Sequence, residues 1–311
     1  MTDPTQTLVV AADTGSVRLD AYLVQHADLS RTKIQAEIKA GRILVNGQPT
    51  KPHHQLHAGD RVVIQNPAMA VHAEAKVIDT LEPTVLFEDD QYLVVNKPSG
   101  LLVHGGPGID EPTLADWAIK HDPAIAVVGD QPDIRPGIVH RLDREVSGVM
   151  VIAKTAEAFI SLKRQFQDHS IFKQYIALAY GRITDRAGRI DFAIARKPDK
   201  SGLMVARPKS TEGKDAETRF HVERFLKNMT LVRVQTLTGR THQIRVHFKA
   251  IGHPLIGDPL YRMKRMKTTK LVPPRLCLHA QVLEFTDLDG QRRHYEASLP
   301  ADLTQFFSKV G

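Results

Sequence analysis

A loop-forming segment in the middle of the chain combines ionisable side chains with a glycine turn. It reads His140-Arg-Leu-Asp143 and reaches Ser147-Gly148 directly before an apolar run. This placement, just ahead of a predicted buried strand, is typical of active-site loops on a rigid scaffold. Asp143 is the candidate nucleophile, because a carboxylate can attack or stabilise an electron-poor carbon. Taken alone, one loop aspartate is more often a turn former or a cap.

Two other functions suggested by these residue types, a kinase and a metal hydrolase, do not agree with the rest of the sequence. His-Arg-Leu-Asp resembles the His-Arg-Asp-Leu of kinase catalytic loops, but no glycine-rich phosphate loop precedes it and no Asp-Phe-Gly follows. The 15 histidines suggest a metal hydrolase, yet His242 and His247 do not have the i, i+4 spacing that aligns two ligands on one helix face. We therefore predict neither a kinase nor a metalloenzyme, and we expect no cofactor.

The N-terminal part of the chain predicts a small α/β unit of two helices and two strands. Residues 17–41 have two short helical patterns, the second capped by Ser30 and stopped by Gly41. Strands follow at 42–47 and 59–64. Positive charge gathers here, where a polyanion could dock. Between Ser30 and His54 the basic residues are Arg31, Lys33, Lys39, Arg42 and Lys51, against the single acid Glu37.

The longer remainder of the chain predicts an α+β architecture that would position the Asp143 segment. Residues 67–83 are the predicted linker, so we divide the chain into a domain at 1–66 and a second at 84–311. The strand-like runs are 84–88, 92–96, 149–153, 172–180 and 230–237. The predicted helices are one capped by Thr155, with Phe159, Leu162 and Phe166 on one face, and one at 241–251 stopped by Gly252.

The bulk composition is that of a globular protein with an anionic partner. Of 311 residues, 42% are hydrophobic and 25% charged, enough for a core. The net charge of +7 favours binding to a polyanion, although a basic excess can also serve solubility. Cys277 is the one cysteine, which favours a reducing compartment. No apolar run approaches the roughly 20 residues that span a bilayer, so we predict a cytoplasmic protein that binds no membrane.

The segment Ile138-Val-His-Arg-Leu-Asp143, with Ser147-Gly148 after it, resembles the catalytic motif of the RluA-type pseudouridine synthases. Other segments match that family's motifs in the family's order, across about residues 84–300. The N-terminal unit resembles the αL RNA-binding domain of a small-subunit ribosomal protein. Val146 departs from the family pattern, which usually has threonine at this position. The change removes a hydroxyl group that could make a contact, but it does not alter the expected chemistry. The matching segments are Asn96–His104, Phe172–Tyr175, Thr238–His247 and Gly252–Asp258.

The resemblance implies an isomerase with a mixed, mainly antiparallel sheet that converts uridines in RNA, most of all large-subunit ribosomal RNA, to pseudouridine. Asp143 would be the nucleophile, Tyr175 would lie against the target base, and Arg245 would pair with Asp143. An adjacent guanidinium favours the ionised form of a carboxylate. Arg141 would fill the space left by the flipped uridine. The substrate-binding residues implied by the motifs are Arg141, Ile244, His140, Asn96 and Lys97.

A lone carboxylate suits isomerisation better than hydrolysis, because glycoside hydrolases generally use two carboxylates to activate a water. The patterns alone leave plainer alternatives: Arg245 as a surface arginine, Tyr175 as a core tyrosine, and Arg141 as a phosphate contact or surface charge. Further basic clusters at 196–214 and 262–275 are candidates for holding an RNA backbone.

Alternatives to this function remain open. One is a non-catalytic RNA-binding ribosome-assembly factor, and another is a synthase acting on transfer RNA. Whether Asp143 attacks the sugar or the uracil first also remains open. We expect a monomer whose partner is RNA.

Overall fold

The computed structural model describes residues 5–11, 17–26, 31–65, 81–105, 111–199, 202–209, 212–263 and 272–311. The chain divides into two compact units, the first containing the described residues up to 65 and the second those from 81 onward. The predicted cap Ser30 and most of the predicted linker at 67–83 lie outside the described residues. The exact domain boundaries at 66 and 84 stay predictions.

The first unit contains the two predicted helices and a small antiparallel sheet. Both predicted strands lie in that sheet, whose order is β1-β6-β3-β4, while β2 pairs with β5. Leu23, Ile34, Ile38 and Val62 are buried together between helices and sheet. The elements are α1 Leu19–His26, α2 Arg31–Lys39, β1 Thr5–Val9, β2 Val17–Arg18, β3 Ile43–Val45, β4 Gln48–Pro49, β5 Gln55–Leu56 and β6 Arg61–Gln65.

The second unit is built on a nine-stranded sheet of order β11-β14-β15-β10-β16-β9-β8-β7, with β17 also paired to β16. All its described pairings are antiparallel except that of β9 with β16. The strands are β7 Thr84–Glu88, β8 Tyr92–Lys97, β9 Ser147–Ala153, β10 Phe172–Tyr180, β11 Ala187–Ile190, β12 Ala193–Arg196, β13 Met204–Arg207, β14 Thr218–Leu226, β15 Met229–Thr236, β16 Leu278–Thr286 and β17 Arg292–Glu296. Strands β12 and β13 form a separate ribbon.

Few helices accompany this sheet, so the α+β prediction is confirmed. Thr155 caps α4 as predicted, accepting a hydrogen bond from the Ala158 amide. The helix predicted at 241–251 is shorter, because His242 has a left-handed backbone (φ 54°) that no helix can include. The helices are α3 Leu114–His121, a 3₁₀ turn Pro123–Val127, α4 Ala156–Gln167, α5 Gln243–Ala250 and α6 Ala301–Val310. None of the described helices is long and apolar enough to cross a membrane.

Two hydrophobic cores cover opposite faces of the sheet, as the alternation of side chains along a strand requires. On β9, Met150 and Ile152 belong to one core, while Val149 and Val151 belong to the other. Strand β9 is buried along its whole length. The sole cysteine, Cys277, is fully buried just before β16.

The parallel pairing of β9 with β16 fixes the position of the residues that directly follow the Asp143 segment. Ser147 pairs with His279, and Gly148 pairs with Ala280. Gly148 has φ +129°, and a Cβ added to it would lie 2.1 Å from the Ala280 carbonyl oxygen. Only glycine fits this approach. The residues just before it are thereby held at the sheet, and we call residues 140–146 the Asp143 loop.

Candidate active site

A cavity in the second unit is formed where three parts of the chain meet. The Asp143 loop supplies one wall, Tyr175 of β10 and Thr236 of β15 supply another, and residues 238–245, which enter α5, supply the third. Strand alternation puts Tyr175 on the face of Ala177, opposite Ile176 and Leu178, as predicted. Five of the predicted site residues therefore line one cavity: Arg141, Asp143, Tyr175, Ile244 and Arg245.

Arg245 is the buried centre of the charges in this cavity. Only 1% of its surface is exposed, so the alternative of a surface arginine is excluded. Its Nε and Nη2 donate to the two carboxylate oxygens of Asp258 at 2.8 and 2.9 Å, and its Nη1 donates to Asp143 Oδ2 at 3.1 Å. Burial opposes the charge of Arg245, but the bonds and charge of Asp258, with those of Asp143, raise its pKa above the ordinary value. The guanidinium is therefore a permanent positive charge beside Asp143.

Asp258 fixes this arginine from behind the cavity. Its side chain is fully buried and also accepts hydrogen bonds from the Leu260 and Tyr261 amides. Burial raises the pKa of Asp258, but Arg245 and the two amides outweigh it and hold the pKa below the usual range. A bidentate pair of this kind fixes the plane of the guanidinium, which leaves Nη1 directed at Asp143.

Tyr175 presents a protonated phenol to the cavity. Burial raises its pKa to about 12, and the charge of Asp143 adds to this, while a hydrogen bond with Thr236 opposes it. At neutral pH the phenol is therefore a hydrogen-bond donor with an apolar ring, able to contact a base. Ile244 is 5% exposed and belongs to the core as well as to the cavity wall.

Arg141 lies on the cavity rim and is exposed. Its guanidinium makes no hydrogen bond or ion pair with any residue that the structure describes. It is thus available to an incoming group.

The structure does not bring His140, Asn96 and Lys97 to the cavity. The His140 ring stacks on Phe166 at 4.6 Å and accepts a hydrogen bond from the Val151 amide. Burial lowers the pKa of His140 to about 3, so the ring is neutral. Asn96 lies on β8 opposite Val149 and, with Lys97, borders a different depression.

Lys97 supports the Asp143 loop from beneath. It is fully buried, and its ammonium donates to the carbonyls of Pro98, Leu101 and Arg144 at 2.9, 2.8 and 3.3 Å. Ser99 Oγ donates to the Glu145 carbonyl at 2.7 Å. These donors are already used within the protein, so Lys97 supports the loop, and its contact with the substrate stays a prediction.

The basic side chains of the first unit that are predicted to bind RNA differ in their surroundings. Lys39 and Lys51 are exposed, whereas Arg42 donates to Glu37 Oε1 at 3.0 Å, and this hydrogen bond raises its pKa. The side chains of Arg31 and Lys33 lie outside the described residues.

The sequence of the second unit matches the family model described as RNA pseudouridylate synthase over residues 91–250. The sequence of the first unit matches the model of the S4 domain over residues 17–62. The chain belongs to the RNA pseudouridylate synthase family. A relative in Bacillus subtilis, described as an uncharacterized RNA pseudouridine synthase, is 38% identical over 95% of this chain and 94% of its own length. Ribosomal large subunit pseudouridine synthase D of Xanthomonas campestris is 34% identical over 97% and 91%. The predicted RluA-type family and the N-terminal RNA-binding domain are confirmed.

Solved structures of this synthase family share the fold. Human RNA Pseudouridylate Synthase Domain Containing 1 matches with a TM-score of 0.58 at 25% identity, over 73% of this chain and 87% of that one. Human RNA Pseudouridylate Synthase Domain Containing 4 matches with the same TM-score over 92% of its length.

The sequence interpretation of this synthase missed three neighbours of Arg245 and Asp143. Asp258 is the last residue of the matching segment Gly252–Asp258, but the resemblance gave it no role. Glu145 Oε2 lies 3.3 Å from Arg245 Nη1, and His242 Nε2 lies 3.9 Å from Asp143 Oδ2. A buried arginine requires an acidic partner, yet spacing along the chain does not say which acid. In the described residues, no group of three His, Cys, Asp or Glu side chains is arranged to hold a metal ion.

Proposed function

We propose that this RNA pseudouridine synthase acts on a uridine of large-subunit ribosomal RNA and that Asp143 is the carboxylate that attacks it. The observation that carries the proposal is the pairing of Asp143 Oδ2 with Nη1 of the buried Arg245 at 3.1 Å, inside a cavity that Tyr175 and Ile244 also line. A carboxylate held beside a fixed cation is an oriented nucleophile.

The reaction conserves every atom of the uridine. The bond from ribose C1′ to uracil N1 breaks, a bond from C1′ to C5 forms, and the proton on C5 is replaced by one on N1. Asp143 would stabilise C1′ or the ring while the base is detached. The apolar wall formed by Ile244, Leu142 and the Tyr175 ring would limit the access of water, which would otherwise trap the sugar.

A uridine stacked in folded RNA must leave the stack to enter this cavity. Extruding it costs a few kcal/mol, which contacts in the pocket must offset. Arg141 on the rim is exposed and would occupy the space that the base leaves. Lys39 and Lys51 of the first unit would contact the RNA backbone, as would the basic residues at 196–214. Lys264, Arg265, Lys267 and Lys270 of the other basic cluster lie outside the described residues.

Ribosomal RNA is preferred over transfer RNA because relatives of this chain carry the name ribosomal large subunit pseudouridine synthase D, among them those of Xanthomonas campestris and Pseudomonas aeruginosa, the latter 36% identical over 96% of this chain. A monomer in the cytoplasm, without metal or cofactor, remains the prediction for its working state.

The test is to map pseudouridines in ribosomal and transfer RNA from cells with the gene, without it, and with Asp143→Asn. We expect one or more large-subunit positions to lose pseudouridine without the gene and to stay unmodified with the variant. Glu111→Gln is the matched control, since Glu111 is exposed, lies outside the Asp143 loop and pairs with Arg144 of that loop; it should restore modification. Loss confined to transfer RNA would support the second substrate class. Normal turnover by purified Asp143→Asn would refute the nucleophile.

A further inference from the structure

His242 occupies a strained position at the edge of the active-site cavity. Its backbone is left-handed, with φ 54°, and it directly precedes α5. A residue with a Cβ adopts this conformation at an energetic cost, and such residues often lie at functional sites. The effect here is to place the imidazole in the cavity, with Nε2 3.9 Å from Asp143 Oδ2.

A hydrogen-bond chain behind the ring determines which nitrogen carries the proton. The hydroxyl of Tyr261, a residue only 2% exposed, accepts from the Met204 amide at 3.0 Å and lies 2.7 Å from His242 Nδ1. A buried hydroxyl must also donate its own proton, and within the described parts of the chain His242 Nδ1 is its one acceptor. The neutral ring therefore accepts at Nδ1 and carries its proton on Nε2, which faces the cavity.

The charge of the ring agrees with this assignment. Burial lowers the pKa of His242 below its ordinary value; the charge of Asp143 opposes the change and that of Arg245 adds to it. Glu145 and Asp258 act in the same direction as Asp143. At neutral pH the ring is a neutral donor.

The gap between His242 and Asp143 selects one kind of ligand atom. At 3.9 Å the N–H and the carboxylate are too far apart to bond directly. One oxygen placed about 2.8 Å from each could bond to both. That oxygen must accept from Nε2–H and donate to the carboxylate, and among the oxygens of an RNA nucleotide only a hydroxyl does both. A phosphate oxygen or a uracil carbonyl cannot donate.

In a nucleotide within an RNA strand, the 3′ and 5′ oxygens are esterified and the 2′-hydroxyl is the free hydroxyl of the ribose. It is attached to the carbon next to C1′, where the glycosidic bond breaks. We propose that His242 and Asp143 together hold the 2′-hydroxyl of the target uridine, so that His242 is the residue with which the cavity distinguishes RNA from DNA. This rests on the proposed function, which puts the target ribose beside Asp143.

The tautomer can be tested without any substrate. In protein labelled with ¹⁵N-histidine, long-range ¹H–¹⁵N spectra distinguish a ring protonated at Nε2 from one protonated at Nδ1. We expect the Nε2–H form for His242 in the wild type and a mixture of forms in Tyr261→Phe. His121→Phe is the assignment control, because His121 pairs with Glu88 away from the cavity. An Nδ1–H form in the wild type would overturn the assignment.

The substrate contact is tested by pairing protein variants with sugar variants. The RNA is the fragment around the uridine that mapping identifies, made with ribose or 2′-deoxyribose at that one position. In the wild type we expect the deoxy substrate to react more slowly. In His242→Phe the ribose substrate should lose about tenfold in kcat/KM, and the ribose-to-deoxyribose ratio should fall by the same factor, the size of one lost hydrogen bond.

His242→Gln keeps an N–H donor of similar reach and should restore part of that ratio. A merely structural histidine would slow both substrates equally, and an unchanged ratio in His242→Phe would refute the contact. The proposed function fails on a different result. It fails if the wild type forms no pseudouridine in the ribose fragment, or if Asp143→Asn forms pseudouridine there. Neither of these results depends on the ribose-to-deoxyribose ratio of kcat/KM.

Discussion

Two buried cations hold the Asp143 loop, and they do so with opposite kinds of partner. Arg245 contacts carboxylates, namely Asp258 and Asp143, and its pKa is raised although burial opposes its charge. Among the described residues, the ammonium of Lys97 hydrogen-bonds to backbone carbonyls alone, and burial lowers its pKa to about 7, with the charges of Asp143 and Glu145 opposing the change. The partner decides whether a buried cation keeps its charge.

The difference separates two tasks. Arg245 supplies a permanent charge to the chemistry, which requires two fully buried charges, Arg245 and Asp258, to lie beside the partly exposed Asp143. Lys97 donates hydrogen bonds that fix the backbone, and the burial of its positive charge lowers the free energy of unfolding. Variants of each residue should therefore affect activity and stability in different proportions.

The largest effect should come from Arg245→Met. It leaves Asp258 buried without a counter-charge, which costs about 3–5 kcal/mol of unfolding free energy. It also removes the charge beside Asp143, so turnover should fall roughly 100- to 1,000-fold or more. Denaturant unfolding and the rate of pseudouridine formation measure the two losses. The double variant Arg245→Met, Asp258→Asn should regain part of the stability and none of the turnover; a single variant as stable as the wild type would contradict the central role of this pair.

The second prediction concerns pH and Lys97→Met. In the folded protein Lys97 loses its proton near pH 7, whereas in the unfolded chain it does so near its ordinary pKa of 10.5. Between these values the unfolded chain binds more protons, so the unfolding free energy of the wild type should rise with pH relative to the variant. The slope should be up to about 1.4 kcal/mol per pH unit. Chemical denaturation from pH 7 to pH 10 measures the difference, and parallel curves would show that the lysine is not desolvated.

The smallest effect separates a partly buried support of the loop from an exposed one. Ser99→Ala removes the bond to the Glu145 carbonyl and should cost about 1 kcal/mol with a few-fold loss of turnover. Glu111→Gln removes an ion pair with Arg144 whose side chains are 48% and 43% exposed, and should change stability by less than about 0.5 kcal/mol. Equal losses in both variants would mean that burial does not set the value of a loop contact.

Local patterns predicted most of the elements that carry this site. The strands at 84–88 and 172–180 occur with the predicted bounds, and Thr155 caps its helix, because alternation and capping act over a few residues. The helix start at Gln243 was not predicted, since nothing in the local pattern requires a left-handed His242.

The cavity partners depend on contacts distant in sequence. Motif resemblance brought Asp143, Tyr175 and Arg245 together, and the structure puts all three in one cavity. The resemblance did not distinguish residues that line the cavity, such as Asp143, from residues that support the loop, such as Lys97. Their motifs adjoin the same loop, and only burial and bond direction distinguish them.

The burial of Cys277 has a practical consequence for experiments on this enzyme. Burial raises the pKa of its thiol to about 12, so the reactive thiolate is nearly absent at neutral pH. A cysteine introduced on the rim at Arg141 would then be the one thiol open to maleimide reagents. A fluorophore attached there would report the arrival of RNA from a single, known point, without first replacing the native cysteine.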